Sequence, residues 1–273
     1  MTRGEFTALL SRWLEYAADS KTAAERPIVI GMSGAQGSGK TTLMADVCRQ
    51  IVSRGGHVVS LSIDDFHLTH HEQVALARRH PGNRFLQHRG YPGTHDVALG
   101  VGVLTALKTL RAGASVRLPG YDRSVFEGTG DRLPESDWRE VAGPLDLVVL
   151  EGWMLGFTPV EDAQLADPAL QAVNELLRSY AAWHALLDGF IWLEPEDHMF
   201  VREWRVEAEE RAIAAGRAGM SPERIAAFVE AFIPAYALYT SGLRARPPTK
   251  PPHLHVIIGR DRLPREILTA WRR

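Results

Sequence analysis

The stretch Gly34-Ala35-Gln36-Gly37-Ser38-Gly39-Lys40-Thr41-Thr42 constrains this chain more than any other. It satisfies G-x-x-x-x-G-K-[ST], with Gly34, Gly39, Lys40 and Thr41 at the fixed positions. A short apolar run, Pro27 to Met32, precedes it, and Leu43 to Val52 follows with apolar residues at helical spacing. Strand, glycine-rich turn and helix form the context in which such a loop binds phosphate. The glycines let backbone N–H groups turn inward as an anion nest, and the helix N-terminus adds partial positive charge. On this reading the whole run, including Ala35, Gln36, Gly37, Ser38 and Thr42, cradles phosphates. Lys40 reaches the β- and γ-phosphates, and the Thr41 hydroxyl ligates Mg²⁺. The competing account, a glycine turn with a stray Lys-Thr, leaves both flanks unexplained. A nucleoside triphosphate with Mg²⁺ is the expected ligand.

The remainder alternates between strand and helix patterns. Phe6, Leu9, Leu10, Trp13, Leu14 and Ala17 recur at helical spacing, so residues 1–26 are expected to place an amphipathic helix on the main body. A second strand is predicted over 57–63, a short helix over 72–79, a helix over 101–110 and a strand over 114–118. A buried strand over 145–150, a helix over 165–187 and a strand over 190–193 follow. Ser221-Pro222 is a good N-cap and first-turn pair for a helix reaching about Tyr239 despite Pro234. The last predicted strand is 254–258. Continuous apolar strands between helices imply an α/β fold with a mostly parallel sheet covered on both faces, as one domain over 27–273. Two irregular stretches, 67–100 and 119–137, are long enough to carry function. A charged helix over about 196–215 carries Arg202, Trp204 and Arg205 and could form a lid, over about 196–220, whose arginines close over the phosphates. An ordinary solvated face is the plainer alternative.

With a net charge of −2, the chain has no electrostatic footprint for nucleic acid or an anionic membrane, which favours a small-molecule substrate. The single cysteine, Cys48, excludes an internal disulfide and a cysteine-based zinc site. His67, His70, His71 and His80 show no ligand spacing that points to a transition metal. No apolar run approaches a membrane span. Glu5, Glu15, Asp19 and Glu25 near the N-terminus fit neither a secretory signal nor an acid-poor transit peptide, so a soluble cytoplasmic protein is expected. Nothing in the pattern identifies a protein partner.

In parallel sheets ligands bind beyond the carboxyl ends of the strands. Three predicted strand ends carry the glycine loop, Asp64-Asp65 and Glu151, so these groups should converge. Phosphoryl transfer needs a positioned nucleophile, an acceptor for its proton and neutralisation of the γ-phosphoryl charge. Asp64 is the candidate to orient and deprotonate an acceptor hydroxyl. Asp65 could take that part instead, or bind metal through water; the plainer alternative is that Asp64 merely caps the following turn. Glu151 has the setting of an acid that holds Mg²⁺ through water. Arg89, Arg123 and Arg132 lie in glycine-rich loops beside His95 and Tyr121 and offer planar forks for a carboxylate or phosphate. Such loops suit a small anionic acceptor better than a neutral one.

These residues, with Ser62-Ile63-Asp64-Asp65-Phe66, Arg89-Gly90 through Gly93-Thr94-His95-Asp96, Tyr121-Asp122-Arg123-Ser124, Gly130-Asp131-Arg132 and Glu151 to Phe157, resemble the D-glycerate 3-kinases of the plant and fungal type. That family sits within the P-loop group of uridine kinase, phosphoribulokinase and bacterial pantothenate kinase. The likeness runs through Arg202-Glu203-Trp204-Arg205 and Ile233-Pro234-Ala235-Tyr236, covering about Pro27 to Leu243. It implies transfer of the ATP γ-phosphoryl group to the 3-hydroxyl of D-glycerate, with Asp64 at the position of the catalytic base. His67, where the family commonly has Tyr, and Tyr91-Pro92-Gly93-Thr94 depart from the plant pattern and lie nearer the fungal and bacterial branch. Rival readings are a kinase of a nucleoside, pantothenate or another sugar acid, and a nucleotide-dependent switch. A switch needs no aspartate poised at an acceptor hydroxyl.

Overall fold

Three strands whose residues are all buried make the centre of the molecule: β1 (Ile28–Gly34), β7 (Leu147–Gly152) and β8 (Gly189–Pro195). Successive residues of a strand face opposite sides of a sheet, so burial of every residue requires cover on both faces. The computed structural model describes residues 1–19, 27–214 and 222–268. Ser221, the expected N-cap, and the last part of the expected lid lie outside these residues. The first 62 residues follow the expected order. Helix α1 (Arg3–Asp19) precedes β1, and α2 (Lys40–Ser53) leads into β2 (Val58–Ser62). Phe6, Leu10, Leu14 and Ala17 form the buried stripe of α1, which packs on α2.

The six-stranded sheet has the order β10-β9-β8-β1-β7-β2, with β9 at His253–Ile258 and β10 at Pro264–Leu268. Pairings among β2, β7, β1, β8 and β9 are parallel, and only β10 runs antiparallel, at the edge. The register places Glu151 opposite Met32 on one side and Ser62 on the other. The glycine loop, Glu151 and the Asp64 turn therefore leave the same end of three adjacent strands.

Several elements differ from the sequence reading for local reasons. Helix α3 (His70–Arg79) begins where Thr69 and Glu72 form a capping box. Helix α4 (Val97–Lys108) starts four residues before the expected position because Asp96 accepts the Leu99 N–H at 2.9 Å. The strand predicted over 114–118 forms as β3 (Ser115–Leu118), but it pairs only with β6 (Arg139–Ala142), outside the main sheet. A second small ribbon joins β4 (Tyr121–Asp122) to β5 (Asp131–Arg132). The long helix predicted over 165–187 is broken. Pro168 disfavours helical geometry at Asp167, and regular helix appears only as α5 (Leu170–Leu177) and α6 (Ala181–His184). Conversely, α7 (Phe200–Ala214) is followed by α8 (Pro222–Ala245), which passes through Pro234 and runs beyond Tyr239. Proline removes a donor and crowds the preceding turn. The Ala231 carbonyl in that turn accepts the buried Tyr91 hydroxyl.

An aromatic cluster supports the acceptor side. Trp183 is fully buried, donates its indole N–H to the Val97 carbonyl at 3.1 Å and contacts the rings of Phe66, Tyr180 and His95. Truncation to alanine would remove this packing and the indole bond to the Val97 carbonyl. Trp183→Ala is expected to cost about 3–5 kcal/mol of unfolding free energy, read from the urea midpoint at an unchanged slope.

Candidate active site

The glycine loop has the backbone its sequence demands. Gly37 and Gly39 adopt φ of +77° and +82°, and Gly39 stands at the N-terminus of α2. The first N–H groups of α2, on Lys40, Thr41 and Thr42, have no acceptor within the helix and are available to an anion. The Gln36 N–H is not: it donates to the Tyr236 hydroxyl of α8 at 2.9 Å. Gln36 thus braces the loop from behind.

Two further elements close on the loop. A Cβ at Gly37 would lie 2.6 Å from the Trp204 Cβ, so α7 packs directly on the loop backbone. Trp204 donates its indole N–H to the Arg260 carbonyl at 2.7 Å, and Arg262 donates Nε–H to the Gly37 carbonyl at 2.8 Å. Sequence reasoning passed over Arg262, whose only signal is long-range: it lies 225 residues from its partner. Arg202 is exposed on α7 and Arg205 is half-buried.

Beneath the loop, the Thr41 hydroxyl donates to Glu151 Oε1 at 2.7 Å, and Lys40 Nζ stands 3.8 Å from Oε2. Glu151 is 2% exposed, and its Oε2 has no hydrogen-bond partner among the described residues. A buried carboxylate beside a threonine hydroxyl offers the hard oxygen donors that Mg²⁺ takes.

The two aspartates after β2 separate cleanly. Asp65 Oδ2 accepts the Ser62 N–H at 3.0 Å and closes a capping box around the short 3₁₀ turn Ile63–Phe66. Asp64 instead places Oδ2 2.8 Å from Arg123 and Oδ1 3.6 Å from His67 Nε2. Burial would raise the Asp64 carboxyl, but the charges of His67, Arg123, His95 and Lys40 together hold it below the usual range. Burial also pushes His67 down to about 4 and His95 well below its ordinary value, so both rings are neutral near pH 7. At that pH, Arg123 and Lys40 keep Asp64 ionised.

His67 and His95 stack with ring centroids 4.3 Å apart. Their nitrogens and an Asp64 oxygen lie within 4.8 Å of one another, a grouping the sequence spacing did not reveal. Near-parallel rings send their lone pairs side by side, so the cluster suits hydrogen bonding better than a shared ion. The Tyr180 hydroxyl accepts the Gly93 N–H at 2.9 Å and contacts His95 Nδ1 at 2.8 Å. Giving its proton to Nδ1 leaves His95 Nε2 as a buried donor without a partner among the described residues.

The three loop arginines have different duties. Arg89 donates to the Gly128 and Thr129 carbonyls and lies over the Tyr121 ring. Arg132 donates to the His67 carbonyl at 3.0 Å and to Asp96 at 3.2 Å. Both tie the 119–137 loop to the 67–100 loop. Arg123 is 60% exposed and meets Asp64. Tyr121 sets its ring edge toward His67, with centroids 5.2 Å apart.

Strand ends, glycine loop and opposed acid together define a P-loop kinase fold. The profile described as Zeta toxin matches residues 11–84, the segment around the glycine loop. The chain is 39% identical over 227 residues to the chloroplastic D-glycerate 3-kinase of Arabidopsis thaliana, covering 82% of this chain and 50% of that protein. It thus spans half the length of that relative. It is 35% identical to an uncharacterized kinase of Schizosaccharomyces pombe, over 94% of this chain and 96% of that one. The fold is similar to that of D-glycerate 3-kinase from Cryptococcus neoformans, with a TM-score of 0.89, 29% identity and coverage of 97% and 99% of the two chains. The chain belongs to the D-glycerate 3-kinase family of ATP-using P-loop kinases.

Two expectations follow. Gly37→Ala forces an alanine into positive φ and against Trp204, and should weaken ATP binding at least tenfold by calorimetry while leaving the sheet folded. Burial pushes the Asp65 carboxyl up to about 6; the Ser62 N–H opposes this, and the charges of Asp64 and Glu151 add to it. The folded chain therefore holds this proton more tightly than the unfolded one, and stability is lost as pH rises through about 4 to 6. Asp65→Asn keeps an acceptor for Ser62 and removes the titration. The difference in unfolding free energy between wild type and Asp65→Asn should therefore fall across that interval and level off above it.

Proposed function

We propose that the chain transfers the γ-phosphoryl group of ATP to the 3-hydroxyl of D-glycerate, giving 3-phosphoglycerate. The observation that carries this reading is the position of Asp64: ionised, uninvolved in capping, and paired at 2.8 Å with an exposed arginine at the strand end beside the glycine loop. Asp64 accepts the hydroxyl proton late in transfer, when a lowered pKa is no obstacle. Lys40 and the first-turn amides of α2 hold the phosphates. Thr41 and Glu151 would hold Mg²⁺, which when bound supplies charge neutralisation at the β- and γ-oxygens.

The acceptor carboxylate is assigned first to Arg123, the most accessible of the three loop arginines, with Arg89 and Arg132 fixing the loops around it. The His95 Nε2–H and Tyr121 complete the polar wall, and Asp65 shapes it from the 3₁₀ turn. Glycerate would draw Arg123 to its carboxylate while its 3-hydroxyl takes the arginine's place at Asp64. Trp204 seats α7 on the loop, and Arg202 and Arg205 are assigned to closure over the phosphates. Residues 27–273 act as one catalytic unit with α1 as its support. No described helix is long and apolar enough to cross a membrane. We read the enzyme as a cytoplasmic one acting on a small molecule, without nucleic acid.

ADP release with ATP and Mg²⁺ tests the substrate. D-glycerate should stimulate it strongly, with L-glycerate, glycerol, uridine and pantothenate near the acceptor-free control. Stimulation by another compound in that panel would replace the substrate. Asp64→Asn should lower kcat by about 10²–10⁴-fold and leave the ATP dissociation constant within a few-fold. Unchanged turnover would remove Asp64 from the chemistry.

A further inference from the structure

A cavity of about 460 Å³ lies apart from the glycine loop, against α3 and the chain that follows it. Neither Lys40, Asp64, Arg123 nor Glu151 lines it. Its wall is one face of α3: His70, Gln73, Val74, Ala77 and Arg78, at the spacing of residues that share a helix side. Pro81, His88, Arg89 and Thr129 of the glycine-rich loop also line it.

The lining has a definite chemistry. Arg78, Arg89, His70 and His88 supply permanent or potential positive charge, and no carboxylate lines the space. Val74, Ala77 and Pro81 contribute apolar lining. Gln73 is 7% exposed and donates Nε2–H to the Leu86 carbonyl at 3.0 Å, which fixes its amide. Its Oε1 is buried with no donor among the described residues. The volume lies in the range of small-molecule sites and is roomy for a three-carbon acid.

The cavity also adjoins the machinery of the acceptor loop. Arg89, on its wall, holds the Gly128 and Thr129 carbonyls, and the Thr129 hydroxyl contacts His70 Nδ1 at 3.2 Å. The same loop carries Arg123, paired with Asp64. An anion that drew Arg89 away from these carbonyls would loosen the segment that presents Arg123.

We propose that this cavity is a second, regulatory site for a phosphorylated hydroxy acid, and that its occupation slows the enzyme through Arg89 and the 123–130 loop. Binding there is independent of the assigned reaction; only the inhibitory consequence rests on it. The probe is 3-phosphoglycerate, titrated calorimetrically into the full chain. Two sites per chain are expected in wild type. Val74→Trp, which fills the cavity, and Arg78→Glu, which reverses an exposed charge on its rim, should each weaken one site at least tenfold and leave the other unchanged. Circular dichroism and melting temperature check that both variants fold. In turnover assays wild type should show a component of inhibition by 3-phosphoglycerate that excess acceptor does not relieve, and both variants should lack it. If the glycerate kinase reading fails, the cavity-sensitive binding should persist without an acceptor-competitive site. Binding that neither substitution alters, or no binding of the probe, would overturn the proposal.

Discussion

A carboxylate buried at the end of a central strand is costly unless cations or donors face it, and Glu151 sets this condition for the whole site. Its two oxygens look toward Thr41 and Lys40 across the join between β7 and β1. The contact requires the first turn of α2 to begin directly above that strand end. The glycine loop must then span from β1 to α2 in a few residues, with positive φ at Gly37 and Gly39. The parallel register brings β2 to the same level and delivers Asp64 within the field of Lys40. The glycine loop, Glu151 and Asp64 are therefore neighbours because three strands end together.

The distribution of charge around Asp64 explains how two adjacent aspartates come to differ. Asp65 turns back on the Ser62 amide and becomes part of the 3₁₀ turn, while Asp64 turns outward to Arg123. Burial raises the Asp65 carboxyl against the opposing Ser62 amide, while the neighbouring positive charges lower that of Asp64. Local backbone geometry separates a structural acid from one available for proton transfer.

Much of this was legible in the chain itself, because the decisive signals are local. The glycine loop carries its own strand and helix, β1 and β7 are continuous apolar runs, and Asp64-Asp65 and Glu151 sit at recognisable strand ends. Boundaries failed where a single residue governs them: Asp96 starts α4 early and Pro168 delays α5, whereas α8 passes through Pro234 as expected and only ends later, at Ala245. The supports of the site were illegible for a different reason. Tyr236, Arg262 and the His67–His95 stack act across long stretches of chain, and no periodicity marks such contacts. The duties of Arg89 and Arg132 were also hidden, since a guanidinium that binds carbonyls looks in sequence like one that binds substrate.

Helix α8 touches both halves of the site. Near Pro234 its Ala231 carbonyl receives Tyr91 from the acceptor-side loop, and barely more than one turn later Tyr236 receives the Gln36 amide from the glycine loop. Two segments 55 residues apart in sequence (91 − 36) are thus anchored on one short length of the same rod. A shift of α8 along its axis would move both anchor points together. Removing the Tyr91 hydroxyl would take away one of the two polar ties that α8 makes across this span, leaving the Tyr236–Gln36 bond to the glycine loop as the other.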